Sequence, residues 1–176
     1  MDRSISYTLE KIACSSVVLK SEQETCIKRI YEGTDVFLWL PTGFGKSLCY
    51  EVLPFVFDDK LGKDNSVVIV VSPLISLMVD QVQNLRRRSV KADIMSSGSK
   101  VDKEFVAKDE DIRDCRLLFC APEVIDISKW RDTVAKPEFS SRVVAIVVDE
   151  AHCVSKWYVL KYDCTVNVII KINDPM

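Results

Sequence analysis

The chain has 176 residues, with 48% hydrophobic and 28% charged residues and a net charge of −2. That is enough chain for one domain with a real core, and an ordinary soluble composition. The near-neutral balance gives no overall electrostatic signature for nucleic acid, so any such partner must be argued from local motifs.

Apolar runs are short. Val67–Val71 and Val143–Val148 are the longest, far below the roughly 20 residues needed to span a bilayer. The start, Met1-Asp2-Arg3-Ser4, lacks the basic-then-apolar order of a secretory signal. We therefore expect an intracellular protein with no membrane partner. The seven cysteines, Cys14, Cys26, Cys49, Cys115, Cys120, Cys153 and Cys164, form no C-x-x-C pair, and His152 is the single histidine. An odd set without that spacing argues against a disulfide framework and against zinc. Reduced, packed thiols are expected.

In chain order, residues 1–18 read as a lead-in. Val36–Leu40 reads as a strand, followed by a Gly-containing loop and a helix from about Lys46. Val67–Ser72 is a second strand, with a helix over Ser76–Arg88 behind it. Val90–Met95 is a short third. Arg116–Ala121 is a fourth, followed by a helix over Glu123–Val134, and Val143–Asp149 is a fifth. These strands are nearly continuous apolar runs, the pattern of strands buried on both faces. Alternating with helices, they predict an α/β fold: a mainly parallel sheet between two helix layers. From Tyr158 to Ile172 the pattern becomes strictly alternating. That run is long against a typical strand of about 5–6 residues, so it is expected to break, bend or pair poorly and to leave an apolar face open.

Leu40-Pro41-Thr42-Gly43-Phe44-Gly45-Lys46-Ser47 joins the first strand to its helix. In that context the segment reads as a phosphate-binding loop. Gly43 and Gly45 permit a tight turn whose N–H groups face phosphate oxygens, and the helix start favours anions. Lys46 supplies a point charge for phosphates and Ser47 an oxygen for Mg²⁺. Thr42 and Phe44 complete the loop. Leu40 stands where the strict pattern has glycine. Asp149-Glu150-Ala151-His152 closes the fifth strand. At a strand's C-terminal end, Asp149 is suited to share Mg²⁺ with Ser47, and Glu150 to orient or deprotonate water.

The pieces Pro41–Tyr50 (PTGFGKSLCY), Val71–Val82 (VSPLISLMVDQV), Ala121-Pro122-Glu123 and Asp149–Trp157 (DEAHCVSKW) resemble RecQ-type DNA helicases of superfamily 2. The resemblance covers about residues 19–157. It implies a RecA-like P-loop NTPase lobe, ATP and Mg²⁺ as cofactors and DNA as partner. It also implies 3′→5′ unwinding driven by two such lobes, roles in DNA repair and recombination, and a nuclear location in a eukaryote. It assigns Lys20 and Gln23 to the nucleotide base, with Ser16 standing where an aromatic would stack on adenine. It assigns Ser72, Pro73, Ser76 and Gln81 to the DNA path, and makes His152 a link between ATP and DNA. Arg86, Arg87, Arg88 and Lys91 either extend that path or complement a helix dipole.

After Trp157 the resemblance stops. Residues 158–176 read as a divergent tail, and the second lobe with its arginine finger has no counterpart in these residues. The expectation is a chain inactive alone, whether a fragment, an alternative product or a helicase-derived binding module without catalysis. A small-molecule kinase on a P-loop fold is a third alternative, disfavoured by the DEAHC box and by the lack of an arginine-rich lid.

Overall fold

The computed structural model describes residues 18–96, 106–107, 111–125, 128–149 and 168–172. Ser16, Glu150, His152 and Trp157 therefore lie outside the described residues, as does most of the alternating segment. In chain order the elements are α1 (Ser21–Tyr31), β1 (Val36–Leu38), α2 (Lys46–Glu51), α3 (Leu53–Leu61), β2 (Val67–Val71), α4 (Ile75–Arg87), β3 (Ala92–Met95) and β4 (Leu117–Cys120). They continue with α5 (Pro122–Ile125), α6 (Ser128–Ala135), α7 (Pro137–Ser140), β5 (Val143–Asp149) and β6 (Val168–Ile172).

The strands form one sheet in the order β1-β6-β5-β2-β4-β3. β3, β4, β2 and β5 pair in parallel. β6 is antiparallel to both β1 and β5, so β1 runs in the same direction as the parallel strands and β6 alone is reversed.

Successive residues of β2 explain the layering. Val68 and Val70 belong to a core shared with α1 to α4, through Ile27, Ile30, Tyr50, Leu53, Val56, Met78, Val82 and Leu85. Val67, Ile69 and Val71 belong to a second core with Val124 of α5 and Phe139 of α7. Side chains alternate across a strand, so a strand buried along its whole length, as β2 is, needs helices on both sides. The architecture is the expected three-layer α/β arrangement.

Two details differ from expectation. The edge strand β1 is covered on one face only, with Leu38 buried and Phe37 half exposed on the other. And Val168–Ile172, the described end of the run expected to break, bend or pair poorly, pairs along both edges. A central strand uses its N–H and C=O groups on both sides, so these five residues are not an exposed edge. Among the described residues, no helix is long and apolar enough to cross a membrane.

Candidate functional site

The phosphate loop and the acidic strand end converge at one edge of the sheet. Across the ladder, Leu38 is level with Val168, and Val168 with Asp149. The end of β1, which feeds the loop, and the end of β5 are thus in line, two strand spacings or about 10 Å apart.

The loop is built by its glycines. Gly43 has φ +81° and Gly45, the residue preceding α2, has φ +83°, a left-handed backbone open to glycine at little cost. Turn bonds close it: Phe44 N–H donates to Pro41 O (3.2 Å) and Leu48 N–H to Gly45 O (3.2 Å). Thr42 and Gly43 are exposed and Phe44 half-buried. Val52 keeps helical angles between α2 and α3, so the loop opens a longer helical stretch than the six residues of α2. The first N–H groups of such a helix have no intrahelical acceptor and point outward.

Lys46 Nζ donates to Leu40 O (3.0 Å) and Pro41 O (3.1 Å). The ammonium is thereby held across the loop it serves. Lys20 Nζ lies 3.8 Å from the centre of the Phe44 ring and 3.4 Å from Phe44 O.

Gln23, assigned by resemblance to the nucleotide base, also meets the loop. It is buried. Its Oε1 accepts from Lys20 N–H (2.9 Å), and its Nε2 donates to Phe44 O (3.1 Å) and Gly45 O (2.9 Å). Both Nε2 protons and one of the two lone pairs of Oε1 are engaged, so Gln23 braces the loop from α1, and the second lone pair of Oε1 remains to accept a hydrogen bond.

Asp149 is buried. The Tyr50 hydroxyl lies 3.2 Å from its Oδ2, and Gln81 Nε2 lies 3.5 Å from the same oxygen. Tyr50 is also 3.0 Å from Gln81 Oε1. Tyr50 is not among the site residues expected from sequence. It follows Lys46 by four residues and Ser47 by three, so one helix face carries all three, and that spacing was a usable signal. Burial first, then the neighbouring Asp149 charge, push the Tyr50 phenol well above its ordinary pKa.

Of the residues assigned to a DNA path, Ser76 is exposed and Pro73 half-buried. Ser72 is fully buried, with its N–H donated to Cys120 O, so contact between its side chain and a phosphate does not fit this geometry. Its hydroxyl has no partner among the described residues. Gln81 turns its amide inward to Tyr50 and Asp149. The basic cluster is spent on pairing. Arg86 binds Asp93 (2.5 Å) and Ala92 O, Arg87 binds Asn84, Arg88 binds Glu51 (2.7 Å), and Lys91 binds Asp114 (2.7 Å).

The donors fit Mg²⁺. A buried carboxylate with a serine hydroxyl on the facing helix is a hard-oxygen set of the kind that ion uses alongside phosphate oxygens and water. Cys26, Cys49, Cys115 and Cys120 are free and buried.

Comparison with known proteins gives the family. The DEAD/DEAH box helicase family model matches residues 20–173. The chain is 39% identical over 140 residues to the ATP-dependent helicase SGS1 of Saccharomyces cerevisiae, covering 78% of this chain and 10% of that protein. It is 33% identical to the ATP-dependent DNA helicase RecQ of Haemophilus influenzae, covering 87% of this chain and 24% of that one. With the ATP-dependent DNA helicase Q5 of Rattus norvegicus the identity is 36%, covering 89% and 16%. The chain thus spans a quarter or less of these three relatives. In fold it resembles the helicase MrfA, solved bound to DNA and AMPPNP, with a TM-score of 0.67 at 16% identity, over 87% of this chain and 21% of that one.

Proposed function

The chain belongs to the DEAD/DEAH box helicase family, and from that premise we propose that it is the ATP-binding lobe of a RecQ-like 3′→5′ DNA helicase. The observation that carries the reading is the reach of one helix. α2 presents Lys46 and Ser47 behind the phosphate loop, and its Tyr50 hydroxyl lies 3.2 Å from the Asp149 carboxylate. Two motifs far apart in sequence thereby share one sheet edge, where open α/β sheets bind ligands.

In this reading the loop from Thr42 to Gly45 turns its N–H groups to the phosphates, and the Lys46 ammonium offsets their charge. Ser47 and Asp149 would hold Mg²⁺, which when bound neutralises charge on the phosphate oxygens. Glu150 orients or deprotonates the attacking water, and His152 relays the state of the site to the DNA side. Lys20 packs on Phe44 beside the base. DNA runs past the start of α4, with Pro73 and Ser76 at the surface. The nucleotide-binding unit is taken as residues 19–157, with 158–176 as an added segment that lends β6 to the sheet. An intracellular location, nuclear in a eukaryote, and work in DNA repair and recombination follow from the same family reading.

Unwinding needs a facing lobe that closes on the nucleotide. An arginine finger supplied across such a cleft contributes ~10³–10⁵ in rate. The purified 176-residue chain, given ATP and a forked duplex with a 3′ single strand, is expected to bind nucleotide without unwinding and with little DNA-stimulated phosphate release. Unwinding by this chain, abolished by Lys46→Ala, would contradict the one-lobe reading.

A further inference from the structure

We propose that Tyr50 and Gln81 are positioning residues that set the Asp149 carboxylate for Mg²⁺ and tie it to helix α4; the proposal rests on reading Asp149 as a Mg²⁺ ligand.

Three elements meet at one point. Tyr50 comes from α2, Gln81 from α4 and Asp149 from the end of β5. Tyr50 is wholly buried, so its hydroxyl must find its partners within the protein. Its oxygen lies 3.2 Å from Asp149 Oδ2 and 3.0 Å from Gln81 Oε1, two acceptors that compete for one proton. The phenol has one proton to give, and the charged carboxylate is the stronger acceptor. Gln81 Nε2, at 3.5 Å, approaches the same Oδ2. Two contacts on one oxygen resist rotation of the carboxylate about its last bond. Groups that orient a ligating carboxylate in this way govern metal affinity without touching the metal.

Gln81 adds a mechanical link. It lies on α4 about two turns from Leu74, which is half exposed at the start of that helix.

The test titrates MgCl₂ into the full chain with a fluorescent ATP analogue and repeats the nucleotide titration in EDTA. Tyr50→Phe keeps the ring and removes the hydroxyl. Gln81→Leu keeps the approximate volume and removes the amide. Each is expected to raise the Mg²⁺ concentration for half-maximal effect by about tenfold, with nucleotide affinity in EDTA unchanged. Because the two act through one oxygen, the double variant should fall well short of the product of the single effects. An unchanged Mg²⁺ midpoint in both variants, in a chain whose nucleotide binding depends on Mg²⁺ and on Lys46, overturns the positioning role and leaves the site reading standing. Equal losses with Mg²⁺ and in EDTA overturn it too, since that is the signature of general loosening. Wild-type binding that ignores Mg²⁺ overturns both the role of Asp149 and this proposal.

Discussion

Gln23 Nε2 lies 2.9 Å from the Gly45 carbonyl oxygen, and a β-carbon added at Gly45 would meet that same nitrogen at 2.9 Å. The left-handed backbone at Gly45 disfavours a side chain whatever the space, and the nitrogen that braces the loop borders the place where one would enter.

Gly45→Ala is expected to cost more stability than Gly43→Ala. Both pay for a left-handed backbone, about 1–3 kcal/mol, but only Gly45 has a neighbour in the way; nothing lies within 4 Å of a β-carbon at Gly43. In a Gln23→Ala background the extra cost should vanish, because the obstructing nitrogen is gone. Chemical denaturation of the three variants and the double variant measures this. Equal costs in both backgrounds would show that the contact is not what excludes a side chain there.

Arg88→Ala is expected to destabilise the fold by about 1–3 kcal/mol. It strands Glu51, whose side chain is 8% exposed beside an arginine at 27%. The partial exposure of Arg88 keeps the figure below that for a fully buried pair. Arg87→Ala, which loses only an exposed contact with Asn84, should fall within about 0.5 kcal/mol of wild type. Denaturation curves decide the order. If Arg87→Ala instead weakens single-strand DNA binding several-fold in an anisotropy titration, the cluster is a DNA track and not a set of structural pairs.

Arg142 ties the far edge of the sheet. Its guanidinium donates to Asn65 O (2.8 Å), Ile112 O (3.1 Å) and Cys115 O (3.0 Å). Arg142→Lys leaves an ammonium that cannot reproduce the planar fork, so it should lower stability by about 2–3 kcal/mol, or roughly 5–10 °C in Tm. A thermal shift under 2 °C would mean that water replaces those bonds.

Cys115 and Cys120 should resist alkylation in the native chain. Burial pushes the Cys120 thiol up to about 12 and raises Cys115 further, and it is the thiolate that reacts. Raising the pH from 7 to 9 is expected to leave both unmodified by iodoacetamide, and mild denaturant to expose both, as read by peptide mass spectrometry. Rapid native labelling at pH 8 would show that this side of the sheet opens locally.

Much of this was legible in the sequence, for definable reasons. β5 runs from Val143 to Asp149 as its unbroken apolar run requires, and β2 is buried on both faces as Val67–Val71 suggests. The loop from Gly43 to Ser47 was legible because glycine and lysine there serve backbone geometry and charge, which depend on local sequence. What was not legible is where amides and guanidinium groups point. The resemblance assigned Gln23 to a base and Gln81 to the DNA path, and nothing in local sequence shows that both amides also turn to neighbouring elements, Gln23 to the loop and Gln81 to Tyr50 and Asp149. Arg86 and Arg88 read as cations for a DNA path or for a helix dipole, and their ion pairs were not legible because Asp93 and Glu51 come from other elements. The place of Val168–Ile172 between β1 and β5 depends on pairing across the whole chain, which an alternating pattern cannot specify.

The central claim is that one nucleotide site is formed by the loop before α2 and the end of β5. Calorimetric titration of ATP with Mg²⁺ into the wild-type chain, Lys46→Ala and Asp149→Ala tests it most directly. The account predicts weak wild-type binding, since Ser16 offers no ring for adenine, and a loss of tenfold or more in each variant, about 1.4 kcal/mol or greater. Binding of equal strength in all three chains would contradict it.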